Sequence, residues 1–165
     1  MNTRDLTETL STVFGELVDG PPDAAAYMLN RGDAGLLRSL DKLSARDASN
    51  AVPGGGTIAA HVDHLRYGLS LLNRWSAGEN PFASADWEAS WRKTSVSDAE
   101  WADLRRQLRD EAHRWLDVLR APRDVNAMEL NGIVGSIAHL GYHLGAIRQI
   151  HRGARGPSEQ ELRKA

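Results

Sequence analysis

The hydrophobic positions of this chain recur at spacings of three and four along most of its length, and no run alternates apolar with polar residues as a strand would. Leu6, Leu10, Val13, Phe14 and Leu17 trace a first amphipathic helix, which Gly20-Pro21-Pro22 terminates. An irregular insertion follows, with a short helical turn expected around Ala24 to Leu29 and a turn at Asn30-Arg31-Gly32-Asp33-Ala34-Gly35. Leu36, Leu37, Leu40 and Leu43 then resume a helical stripe. Pro53-Gly54-Gly55-Gly56 is a clear stop, and Thr57 is placed to cap a second bundle helix reaching about Trp75, with Ile58, Val62, Leu65, Leu69 and Leu72 on its core face. Residues 76–96, with Pro81, Phe82, Trp87 and Trp91, read as a long connection with room for one short helix. Ser97-Asp98-Ala99-Glu100 has the form of a capping box, and Trp101, Leu104, Leu108, Ala112, Trp115, Leu116 and Leu119 give the helix after it an apolar face. Ile133, Ile137, Leu140, Leu144 and Ile147 mark a last helix from about Val125 to His151, and a polar tail, expected to fray, begins at Gly153.

Four helices joined by connections that permit antiparallel neighbours predict an all-α, up-and-down four-helix bundle. Residues 1–152 are expected to form it as one domain, with 153–165 as the polar tail. The last helix carries Gly132, Gly135, Gly141 and Gly145, each costing about 1 kcal/mol against alanine in a helix interior. Close approach of a neighbouring helix, or of a second copy in a homodimer, would account for them.

Composition narrows the function. The 165 residues carry a formal net charge of -2, so no global positive field exists to attract nucleic acid or an anionic membrane surface. The first residues lack the apolar core of a secretory signal, and no segment approaches the roughly eighteen uninterrupted apolar residues of a membrane span. A soluble, cytoplasmic protein is the expectation. With no cysteine, disulfides, thiolate nucleophiles and Cys-type zinc sites are all absent, and any metal must be held by His, Asp or Glu.

Six histidines are present: His61, His64, His113, His139, His143 and His151. His139 and His143 are four apart on one helix, a spacing that aims two imidazoles at a common point. At 100° per residue they lie about 80 to 120° to one side of the apolar stripe of their helix. On the second bundle helix His64 lies about 120° from the stripe and His61 about 60°, on the same rotational side, so either could supply a third ligand. Three neutral imidazoles at a bundle edge describe a site for one divalent metal ion with a coordination position left open. His113 and His151 have no such company. Arg31-Gly32-Asp33 reads as a turn, and Gly54-Gly55-Gly56-Thr57 as a helix start that lacks the lysine of a phosphate-binding loop.

The segments Thr57-Ile58-Ala59-Ala60-His61-Val62-Asp63-His64-Leu65 and Ala138-His139-Leu140-Gly141-Tyr142-His143-Leu144-Gly145-Ala146-Ile147-Arg148-Gln149 resemble the DinB/YfiT-like metal-binding bundle family, over most of the chain. In that family the second helix carries a Ser/Thr-Ile pair, with a ligand histidine six residues after the isoleucine and an apolar residue next to it. Ile58, His64 and Leu65 fit that register and His61 does not. The fourth helix of the family carries His-x-x-x-His-x-Gly-Gln-Ile, which falls on His139, His143, Gly145, Ala146 and Ile147, with Ala146 departing from the glutamine. The resemblance thus implies His64, His139 and His143 as ligands of a zinc, nickel or iron ion. It also implies a metal-dependent transferase acting on a small-molecule substrate with a low-molecular-weight thiol as cosubstrate, or a metal- or small-molecule-binding bundle without catalysis, linked to stress. The branch of the family that makes thiohistidines has a glutamate where Gly145 stands here, which sets that chemistry aside. Tyr142 and Arg148 lie near the histidine pair and could orient an anionic substrate, although Arg148 points about 140° away from His143.

Overall fold

A computed structural model of the chain describes residues 3–22, 25–52, 56–122, 124–158 and 160. Among them there is no strand. The helices are α1 (Thr3–Asp19), α2 (Gly35–Asp41), α3 (Ala45–Ser49), α4 (Ile58–Ser76), α5 (Asp98–Arg120) and α6 (Ala127–Ile150), with 3-10 turns at Pro81–Ser84, Ala89–Trp91 and Arg152–Ala154. No helix among the described residues is long and apolar enough to cross a membrane.

Local chemistry sets the helix ends. Thr57 caps α4 by accepting from the Ala60 N–H at 3.2 Å. Ser97 and Glu100 close the expected capping box on α5. A second box, Asn126 with Glu129, starts α6 at Ala127, two residues later than the apolar pattern alone suggests. The four long helices touch in a closed ring, α1 on α5, α5 on α4, α4 on α6 and α6 on α1. Phe14, Leu17, Leu65, Leu108, Trp115 and Leu140 fill the space between them. Each such side chain contributes roughly 1.5 to 3 kcal/mol by leaving water.

The insertion after α1 differs from expectation. Residues 25–29 are not helical, and Ala24 lies outside the described residues. The reason is Glu16, a buried residue whose carboxylate accepts the N–H groups of Tyr27, Met28 and Leu29 at 2.9, 2.7 and 2.6 Å. Those amides are held by a side chain of α1 and so are withdrawn from any helix of their own. The leucine stripe at 36–43 is likewise cut short. α2 ends at Asp41, and a capping box of Ser44 with Asp47 restarts the chain as α3. Gly20 and Gly35 let the two ends of the insertion cross: both have positive φ, 93° and 68°, and a Cβ on Gly35 would fall 2.3 Å from the Gly20 nitrogen.

Three further departures bear on the site. The connection 76–96 holds two 3-10 turns where one short helix was expected, and the Tyr67 hydroxyl on α4 pins it by accepting from the Asp86 N–H at 2.9 Å. The start of the tail is packed, since Ala154 is fully buried and the Pro157 carbonyl accepts from Asn30 at 2.8 Å. Asp33, within the Arg31-Gly32-Asp33 turn, is buried and holds Arg148 of α6 at 2.6 Å. The stop at Pro53, Gly54 and Gly55 and the chain end at 161–165 lie outside the described residues.

Candidate metal centre

α4 and α6 lie side by side and face their histidines toward each other. His139 Nε2 stands 3.1 Å from His64 Nε2 and 2.9 Å from His143 Nε2, and one nitrogen from each of the three rings lies within 4.8 Å of the other two. Nitrogens that coordinate zinc at about 2.05 Å in a tetrahedron are about 3.3 Å apart, so the three rings are close enough to bind one metal ion. The site is well shielded: His143 is 1% exposed and His64 7%.

Hydrogen bonds from outside the triad hold two of the three rings, those of His64 and His143. Ser90 has one hydroxyl proton, which it donates to the Trp87 carbonyl at 2.6 Å. Its oxygen therefore accepts from His64 Nδ1 at 2.8 Å, and the neutral ring is left with its lone pair on Nε2, toward the other histidines. His143 is held by a second imidazole, that of His61, whose Nδ1 is 2.7 Å from His143 Nδ1. With His143 donating in that pair, its Nε2 also carries a lone pair. This is the tautomer a metal requires, and partners of this kind orient the ligands of metal sites in general. The donor set thus fits a divalent cation on geometry and residue type.

Electrostatics favour the same state. Burial, with a smaller contribution from the neighbouring imidazoles, pushes His64 down to about 4 and His143 down to about 3. Burial also lowers His61 and His139. All four rings are therefore neutral at physiological pH, with lone pairs available to a cation.

Compared with protein-family models, curated proteins and solved structures, the chain matches none.

Trp91 stacks on the His64 ring at 4.4 Å, and Trp87 lies 5.6 Å from it, so the connection after α4 does cover the histidines. A cavity of about 400 Å³ opens beside His64 and His139, between α4, α6 and that connection. Other candidates fall away. Arg148 is engaged by Asp33, and Tyr142 is exposed with its ring edge-on to His143 at 5.1 Å. His113 pairs with Asp19 at 3.0 Å and His151 with Asp47 at 3.5 Å, each away from the triad. His61 and Ser90 are the functional residues that spacing did not reveal. His61 shares the face of His64 and so looked like a rival ligand, whereas its ring is hydrogen-bonded to His143 on the neighbouring helix. Ser90 gave no signal, because it sits in a connection whose path is not periodic.

Proposed function

We propose that the chain is a divalent-metal-binding four-helix bundle of the DinB/YfiT-like kind, with His64, His139 and His143 as ligands, and that it acts as a metal-dependent transferase with a low-molecular-weight thiol. The observation that carries this reading is the convergence of three imidazole nitrogens next to an open cavity. A bound cation would supply Lewis acidity there, lowering the pKa of a thiol that reaches it. The chain's own residues hold the rings, keep them neutral and exclude water. Ser90 fixes His64, His61 fixes His143, and Trp91 covers the face of His64. Thiol-dependent turnover of a small electrophile, lost on chelation and lost in His143→Ala, is the expected result. Turnover that survives chelation would defeat the proposal.

One observation favours a second reading, a bundle that binds metal without catalysis. Among the described residues, the one hydroxyl lining the cavity, that of Ser136, is committed to the Ile133 carbonyl at 2.7 Å and to Trp115 Nε1 at 3.0 Å, leaving no acid or base in the wall besides the imidazoles of the proposed ligands. Stoichiometric metal binding with no turnover across thiols and electrophiles would support it.

A further inference from the structure

The cavity beside the histidines has a wall of one chemical character. Leu65, Leu69 and Leu72 of α4, Leu140 of α6, and Phe82 and Trp87 of the connection form most of it, and among the described residues no Lys, Arg, Asp, Glu, Asn or Gln lines it. Ser136 contributes no free hydrogen-bonding proton, as its hydroxyl donates to Ile133. The Nδ1 of His64 is taken by Ser90. The polar groups that remain are the Nε2 of His64 and the imidazole of His139, in an otherwise apolar space.

Size and glycine placement agree. An apolar cavity of about 150 Å³ accommodates a benzene ring, and this one is about 400 Å³. Gly132 and Gly135, one turn apart on α6, line it. A Cβ on Gly132 would press on Trp75 at 3.2 Å, but one on Gly135 would meet nothing within 4 Å. Gly135 is exposed and leaves the rim of the cavity open. A charged group placed there would lose its water without gaining a partner.

We infer that this cavity is the subsite for an uncharged aryl or alkyl arm of a small molecule whose polar end reaches His64 and His139. The ligand class is therefore a neutral, apolar-tailed compound rather than a sugar, a nucleotide or an amino acid. The identity of the polar end rests on the metal reading above; the apolar subsite rests on the wall alone.

The test is calorimetric titration of the full chain with 2-naphthol and with naphthalene-2-sulfonate, in chelator and again after one equivalent of zinc. Naphthol should bind, and the sulfonate at least tenfold more weakly in chelator. Gly135→Leu, which adds a bulky side chain at a position lining the cavity, should weaken naphthol at least tenfold. Gly145→Leu is the control: it lies on the same helix with nothing within 4 Å of its Cβ and does not line this cavity, so naphthol binding should not change. Both replace glycine with a stronger helix former, so both variants should fold. Equal binding of the two probes, equal effects of the two substitutions, or no naphthol binding by the folded protein would overturn the inference. Naphthol binding by a protein that takes up no zinc would uphold the subsite and reject the metal reading.

Discussion

The Nδ1 atoms of His61 and His143 lie 2.7 Å apart, joining α4 to α6 through two imidazoles, with the second ring turning its Nε2 toward His64 and His139. His61 is thereby a positioning residue for a ligand. His61→Ala should weaken zinc binding about 10- to 100-fold, the usual effect of losing such a partner. His61→Asn, whose side-chain oxygen can still accept from His143, should restore much of it. Competition with a chromophoric chelator measures both, and identical losses in the two variants would contradict this role.

Ser90 does for His64 what His61 does for His143. Ser90→Ala removes the acceptor at Nδ1, leaves the ring free to present either nitrogen, and should lower zinc affinity by about tenfold or more. Ser90→Thr should keep it. The same chelator competition decides, with an unaltered affinity in Ser90→Ala as the contrary result.

Much of this was legible in the sequence where physics is local. Apolar spacing located α1, α4, α5 and α6, and the Ser97 and Glu100 pair announced its capping box. The same signal was present at Asn126 with Glu129 and at Ser44 with Asp47, where apolar spacing alone misplaced a boundary or merged two helices. The three converging histidines followed from helix angles and the family resemblance. What stayed hidden depends on segments distant in the chain. A glutamate in the last turn of an amphipathic helix ordinarily faces water, and nothing local at Glu16 signals that residues 27–29 fold back onto it. Helix angle likewise placed His61 near His64 but could not show that its partner was on the neighbouring α6.

Glu16 yields a stability prediction. Its carboxylate satisfies three backbone N–H groups at a buried position. Glu16→Leu would leave them without acceptors, at about 1 to 3 kcal/mol for each that water cannot reach. Urea unfolding should show a loss of at least about 2 kcal/mol, and a variant as stable as the parent would contradict the assignment.

The histidines also set a pH dependence for the metal-free protein. His143 and His64 are held down to about 3 and about 4 by burial, while in the unfolded chain each titrates near 6.5. Below pH 6.5 the unfolded state takes up protons that the folded state refuses, so stability is fully present above that value and falls as the pH drops toward about 4. His143→Leu deletes one such group. Measured by urea unfolding in chelator, the stability of wild type relative to this variant should decrease between pH 8 and pH 5. A difference that does not change with pH would refute the linkage.

The most direct test is zinc titration of untagged protein, with stoichiometry read by calorimetry and elemental analysis. One zinc per chain is expected, with affinity reduced about 100-fold or more in His64→Ala, His139→Ala and His143→Ala and unchanged in His151→Ala. No uptake by the folded wild type, or the same loss from His151→Ala as from His143→Ala, would contradict the shared site.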